Sequence, residues 1–525
     1  MRSESARILR DATKLFSAQL ANGAIALVFS AWLVRTISRE ELALYPILGL
    51  CVGFVASVSG LGLSMAQQRL IPERIAAGNE AEARAIARTC LRISVAGATV
   101  LAALAAVLAP QLSRWLLKTP EFATTMRALA PAILLGAVAN HFSYLLQSTN
   151  RFGQLSLNNM VTGSLGVMLA VPGYLLAGRT GLVCAMTVPS ALAVILAFVP
   201  LRRFLMGGTA SAQVARPRSL LRYSLPFYGT SIVTFLNTNA DSLLLAALTN
   251  PRYLATYYVA YRFVSYLFQF GNAGFRVLVT KVNQLQVEGL NRVAASFTKA
   301  SRYLFLFFIP ACGVLAVLAP IIIRLYAGSR YAGSGPILTV LCLYMLFFTV
   351  YGLHRFYVFS VSTPVATLKL QAATACLTLG ITAVCVYFWG GMGAAVGQAA
   401  ALLLADGVGY LMLRRDMSVR YDFAGVKIGV LSLLPTSAVM LAPQWLSLPV
   451  WVSVAAAVAA VPVFLMTFLR VMAPPDRVLL KDYMPRRVWG IVTALALIAP
   501  QTDLRQEGAS AVLAPAGPPM ETSKP

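Results

Sequence analysis

The sequence predicts an all-α polytopic membrane protein of about fourteen transmembrane helices, arranged as two six-helix pseudo-repeat lobes followed by two C-terminal helices. Three observations lead there. The 525 residues are 58% hydrophobic and only 12% charged, a balance outside that of ordinary soluble domains. Apolar stretches of about 20 residues recur along the chain, and at about 1.5 Å per residue each matches about 30 Å of hydrocarbon. Segments about 212 residues apart also resemble one another.

The spans fall near residues 15–37, 42–66, 90–110, 126–148, 155–177, 181–201, 225–248, 254–280, 303–326, 337–360, 365–389, 391–413, 426–446 and 448–471. With a cytoplasmic N-terminus, the connections on that side hold most of the 43 lysines and arginines, so the positive-inside rule places both termini in the cytoplasm. The same asymmetry accounts for the net charge of +25 without a nucleic-acid partner. The first apolar segment has no small-residue cleavage site before Ser38 and reads as an uncleaved span. The seven cysteines lie in or beside spans with no CxxC spacing, which reads as packing rather than a disulfide or metal set.

A shift of 212 lays Leu42, Ala43, Tyr45, Gly62 and Asn79 on Leu254, Ala255, Tyr257, Gly274 and Asn291. AVLAP at Ala106–Pro110 recurs at Ala316–Pro320, and Leu201, Arg202 and Arg203 fall on Leu413, Arg414 and Arg415. Six spans per repeat is an even number, so both lobes share one orientation around an axis along the membrane normal and enclose a central cleft. The domains are then a lobe over 1–205, a cytoplasmic linker over 206–220, a second lobe over 221–416, accessory helices thirteen and fourteen over 417–472, and a cytoplasmic tail over 473–525. Polar stretches from Pro72 and from Lys281 read as elbow helices on the cytoplasmic surface, and Val488–Pro500 as an interfacial segment. The two histidines, His141 and His354, occupy matching repeat positions; one imidazole per lobe makes no metal site.

The seventh and eighth spans concentrate the polar chemistry. Thr230, Thr234, Asn237, Thr238 and Asp241 share one helical face, and after the turn at Thr249–Pro251 the chain re-enters with Arg262 at a depth matching that of Asp241. A charge at such depth costs about 3 kcal/mol in lipid, so both residues should face a wet cavity or each other. Arg276, Arg355, Lys369 and Asp406 are the other charges within spans. Arg276, close to a cytoplasmic end, reads equally as a cavity cation or a snorkelling side chain. Asp406, beside Gly407, reads equally as a helix-packing hydrogen bonder or a proton carrier. With no Walker lysine loop, HExxH or GxSxG, the expectation is a transporter, not an enzyme, with no cofactor and with H⁺ or Na⁺ coupling through Asp241 or Asp406.

The segments SLPFYGTSIVTFLNTNADSLLLAAL, LATYYVAYRF, APIIIRLYAGSRYAGSGPILTVL and GGMGAAVGQAAALLLADGVGYLMLRRD resemble the C-terminal lobe of Wzx-type oligosaccharide flippases, in the multidrug/oligosaccharidyl-lipid/polysaccharide exporter superfamily. The resemblance covers about residues 10–415 and implies alternating access and export of a polyprenyl-diphosphate-linked oligosaccharide to the periplasmic leaflet of the bacterial inner membrane. It places Asp241 at the family's seventh-span acid and Arg262 at the Tyr-Arg of the eighth. Ser242 stands where the family often has a basic residue. Arg262, Arg276 and Arg355 suit a diphosphate, with Asn237, Asp241 and His354 completing the substrate-facing set. Membrane lipids and a polysaccharide polymerase or co-polymerase are the expected partners. A lipid II flippase shares the basic-cleft logic; a multidrug cation antiporter would need carboxylates instead.

Overall fold

A computed structural model describes residues 23–207, 217–286, 289–361, 364–446 and 448–472, together with 477, 490, 493 and 494. Among the described residues the chain is nearly all helical, with no strand. The helices are α1 (Gly23–Thr36), α2 (Arg39–Val58), α3 (Leu63–Ala76), α4 (Glu80–Val107), α5 (Ala109–Leu117), α6 (Ala123–Ala128), α7 (Ala130–Ser148), α8 (Phe152–Met206), α9 (Pro217–Leu248), α10 (Pro251–Gln286), α11 (Leu290–Ala327), α12 (Ser334–Val361), α13 (Pro364–Asp416), α14 (Ala424–Trp445) and α15 (Val450–Val471).

Ten of the described helices are long and apolar enough to cross a membrane. Two of these, α8 and α13, are hairpins. Each reverses at one glycine of positive φ, Gly178 at +56° and Gly390 at +53°, where a side chain would be strained. Beyond the first reversal the backbones of Gly173 and Gly181 touch, although eight residues of straight helix would hold them about 12 Å apart. Gly393 meets the Cys385 carbonyl in the same way. With both hairpins divided, and with α1 and α10 added, each of the fourteen expected spans has its helix.

Capping places the helix starts. The Ser38 hydroxyl accepts the Glu41 N–H at 3.2 Å at the head of α2, and Asn79 accepts the Glu82 N–H at 3.2 Å at the head of α4, with acids in both first turns. The expected elbow helices do not form as separate elements. The polar stretch from Pro72 divides between the end of α3 and the start of α4, and that from Lys281 between α10 and α11, because Gly78 and Gly289 each supply a single left-handed break. The linker over 208–216 and the segment 488–500, apart from three isolated positions, lie outside the described residues.

The chain forms two compact units, Met1–Leu290 with Ile322–Ser418, and Asn291–Ile321 with Val419–Pro525. In the first, Leu63, Ile71, Ile86, Phe142, Leu145, Leu201 and Leu220 form one buried core from α3, α4, α7, α8 and the first turns of α9. In the second, α14 packs on the 291–321 part of α11 through small residues: a Cβ on Gly425 would strike the Arg302 carbonyl, and one on Gly313 the Leu433 side chain. Arg302 pairs with Asp422 at 3.3 Å there.

Candidate functional site

The α9–α10 hairpin positions the site. At its turn the Asn250 carboxamide oxygen accepts the Arg252 N–H at 3.1 Å and starts α10. The polar seam of α9 then divides. Thr234 donates to the side chain of Gln371 on α13 at 3.0 Å, and the Asn237 amide donates to the Gln371 carbonyl at 3.1 Å. Asn237 is thus tied to α13. Asp241, 2% exposed, accepts from the Tyr257 hydroxyl at 2.5 Å and from the Ser242 N–H at 2.6 Å, with Tyr261 and Tyr344 also facing it.

Asp241 and Arg262 do not pair. The reason lies in the helical register of α10. Tyr257 and Tyr261, four residues apart, stack at 5.8 Å on the face toward Asp241, whereas Tyr258, Arg262 and Tyr266 form the adjacent stripe, rotated by about 100°. Equal depth therefore does not bring the two charges together. The guanidinium of Arg262 instead faces four tyrosines: Tyr45 of α2, Tyr258 and Tyr266 of α10, and Tyr326 of α11. It lies 5.6 Å from the Tyr266 ring centre, and among the described residues its buried Nε has no hydrogen-bond partner. Tyr45 meets Tyr258 edge-on at 6.2 Å, Phe263 meets Tyr326 at 4.8 Å, and the Tyr326 hydroxyl donates to Ser30 of α1 at 2.8 Å. Both halves of the pseudo-repeat thus build this nest. Among the described residues no carboxylate lies within ion-pair distance of Arg262.

The remaining expected residues separate. Arg355 is half-buried, its guanidinium 4.9 Å from the Phe356 ring and facing Tyr351 one turn earlier, with no carboxylate in ion-pair range among the described residues. His354, the neighbouring residue, faces the other way and meets Asp406 of α13, Nδ1 to Oδ1 at 3.4 Å. His141 is buried with Ser94, Oγ to Nδ1 at 3.4 Å. The side chain of Arg276 lies outside the described residues.

Sequence reading missed the cross-repeat latch at the end of the helices bearing the turns before α2, α10 and α12. Arg35 donates to the carbonyls of Leu325 and Tyr326, and Arg330 donates to the carbonyl of Ile37 at 3.3 Å. Each arginine reaches the C-terminal end of a helix from the other repeat, where exposed carbonyls concentrate negative partial charge. Arg252 pairs with Glu40 at 2.6 Å, and Arg39 lies 5.3 Å from the Tyr331 ring. Nearer the opposite end, Gly62 (φ +76°) lets the α2–α3 break touch the backbone of Ser224 and Tyr228 on α9, an approach any Cβ would block. Of the two, only the Gly62 contact had a signal in the sequence, the recurrence of that glycine in the repeat.

A family model described as polysaccharide biosynthesis protein matches residues 32–336, more than half of the chain. The chain belongs to that polysaccharide biosynthesis family. No curated protein matches it in sequence. Among solved structures, this family member resembles the lipid II flippase MurJ in an inward closed conformation, with a TM-score of 0.67 at 14% identity over 89% of this chain and 100% of that one. It also resembles a multidrug resistance MATE transporter of the MOP superfamily, inward-facing, with a TM-score of 0.62 at 16% identity over 78% and 98%. A Vibrio cholerae MATE transporter follows at 0.59, with 14% identity over 79% and 98%. At these identities the likeness establishes the fold: this is a multi-pass membrane protein of the polysaccharide biosynthesis family with a MurJ/MATE-like architecture.

Proposed function

We propose that the protein is a flippase that moves a polyprenyl-diphosphate-linked oligosaccharide from the cytoplasmic to the periplasmic leaflet of a bacterial inner membrane, for surface or exopolysaccharide synthesis. The observation that carries this reading is Arg262, half-buried inside a nest of four tyrosines contributed by both repeats, with its Nε enclosed and, among the described residues, no carboxylate partner. A partly enclosed cation with no carboxylate beside it among the described residues suits an anionic ligand, and a guanidinium forks onto diphosphate oxygens. Tyrosine hydroxyls and ring faces suit sugars, and Arg355 supplies a second cation that makes no ion pair among the described residues. Asp241, already held by Tyr257 and Ser242, is poorly placed to receive an organic cation, which weighs against drug efflux.

In this reading both termini are cytoplasmic, the arginine latch closes the periplasmic end, and alternating access opens it. Work for net transport comes from a proton or sodium gradient or from product removal, since a binding preference alone sustains no net flux. A polymerase or co-polymerase would consume the delivered product.

The test is flipping of an undecaprenyl-diphosphate-linked oligosaccharide in proteoliposomes containing wild type, Arg262→Ala or Arg262→Lys. Arg262→Ala should reduce the rate at least about a hundredfold, as loss of about 3 kcal/mol of charged contact implies. Arg262→Lys should recover only part, because an ammonium is a point charge. Wild-type rates in either variant would refute the role assigned to the guanidinium.

A further inference from the structure

Outside the tyrosine nest and the Asp241–Tyr257 contact, two further buried ionisable groups lie side by side. His354 of α12 is 0% exposed and Asp406 of α13 is 8% exposed, and Nδ1 and Oδ1 are 3.4 Å apart. The approach is built into the backbone. A Cβ on Gly409 would come 2.9 Å from the Cβ of His354 and 3.2 Å from its Nδ1, so only glycine one turn after Asp406 lets the imidazole lie against α13. Asp406 and Gly409 belong to the buried face of α13 with Ala401, Leu402, Ala405 and Leu413, whereas Leu403, Leu404, Gly407 and Val408 face outward. The pair is therefore enclosed between helices rather than set on a polar surface.

Among the described residues, the titratable or charged groups around the pair include Tyr351 and Arg355 of α12 and Tyr410 of α13. Tyr351 is directed toward Thr374 and lies near both Arg355 and Asp406, and the Tyr410 ring centre lies 6.4 Å from that of His354. On α10, which also packs against α12, the side chains over 269–281 lie outside the described residues. Arg355 is directed toward Phe356 and Tyr351 and makes no ion pair with Asp406.

We propose that His354 and Asp406 form a single proton-binding site inside the second repeat, and that this site, rather than Asp241, exchanges the coupling proton. The charge count is simple. A neutral imidazole beside an ionised carboxylate leaves one negative charge enclosed between helices without an ion-pair partner among the described residues, which is costly. One proton from water, taken by the imidazole, makes the pair neutral overall, and its return to water on the other side restores the starting state. Imidazole is the side chain whose charge changes nearest neutral pH, and two groups this close titrate as one unit. Asp241 differs because its oxygens accept from the Tyr257 hydroxyl and the Ser242 N–H, neither of which exchanges charge near neutral pH. The tight Gly409 contact ties the pair to the packing of α12 on α13, so a change in that packing would change the site's access to water.

The chain contains two histidines, which gives a direct test independent of any cargo. Protein carrying ¹⁵N-labelled histidine in detergent or nanodiscs should give two ring environments, assigned with His141→Gln. Across about pH 4 to pH 9 the His354 ring should change charge state, and in Asp406→Asn the pH of that change should move by about one unit or more, a tenfold change in proton affinity. The His141 signal should keep its wild-type response in Asp406→Asn. A His354 ring that never changes charge in wild type, or that changes at the same pH in Asp406→Asn, overturns the proposal. Should Asp406→Asn fail to fold, the wild-type titration and Asp406→Glu, which keeps the carboxylate, carry the test: a His354 ring that never changes charge in wild type, or one whose titration is lost in Asp406→Glu, overturns it. Because no substrate is present, failure here leaves the flippase reading to its own assay.

Discussion

The two repeats share their hairpin turns and differ in their charges. Gly178 reverses α8 and Gly390 reverses α13, 212 residues later, both with φ near +55°. Lys118 and Gly328, 210 residues apart, both end helices with positive φ. Where the second repeat has Asp241, Arg262 and Asp406, however, the first has Phe29, Leu50 and Ala193 at offsets of 212 or 213. The histidines persist, yet His141 meets the hydroxyl of Ser94 and His354 meets a carboxylate. The matching glycines Gly178 and Gly390 thus serve the same turn in both repeats, while Asp241, Arg262 and Asp406 lie in the second alone. The first repeat acts mainly as the wall against which the second presents its charges, with Tyr45 and Ser30 lining the Arg262 nest.

That comparison can be broken most severely at the hairpins. Gly181→Val and Gly393→Val place a branched side chain where the two limbs' backbones already touch, so each should cost about 3 kcal/mol or more and yield little monodisperse protein in size-exclusion chromatography. Normal folding of one variant would mean the hairpins are not equivalent.

The histidines sharpen the difference in charge. His354→Ala leaves Asp406 enclosed without its partner and should destabilise by about 3 kcal/mol, whereas His141→Ala loses one hydrogen bond and some packing, about 1 to 2 kcal/mol. Thermal unfolding of purified protein should rank them in that order, and equal shifts would remove the distinction between the repeats. Smaller still, Gly178→Ala and Gly390→Ala should each cost about 1 to 2 kcal/mol, equally, from a left-handed conformation forced on alanine.

The latch gives the smallest effect on stability and a larger one on conformation. Arg35→Gln with Arg330→Gln removes the charged donors that join the repeats at one end, and should cost about 1 kcal/mol in unfolding. It should also raise the labelling rate of a cysteine at Ser38 severalfold. An unchanged labelling rate would mean that other contacts hold this end closed.

Much of the fold was legible because membrane-spanning helices announce themselves by length and apolarity, and the repeat by matching residues such as Tyr45 with Tyr257. The positions of Asp241, Arg262, Arg355 and Asp406 within spans were legible for the same reason: each interrupts an apolar run. Their partners were not. Depth along α9 and α10 follows from counting residues, but which stripe of α10 faces α9 depends on how the helices rotate in packing, and that rotation gave Asp241 to Tyr257 and Arg262 to the tyrosines. The His354–Asp406 contact joins helices 52 positions apart in sequence and depends on Gly409, whose role is visible only once α12 lies against it. The latch uses backbone carbonyls as acceptors, which carry no sequence signature at all.

The central claim concerns cargo, and the most direct measurement is transport by the purified wild-type protein in proteoliposomes offered, separately, an undecaprenyl-diphosphate-linked oligosaccharide, lipid II and a fluorescent organic cation. The account predicts flipping of the diphosphate-linked oligosaccharide at least about tenfold faster than of lipid II, with no uptake of the cation. Preference for lipid II would reassign the cargo within the same chemistry, and uptake of the organic cation with neither lipid flipped would contradict the account.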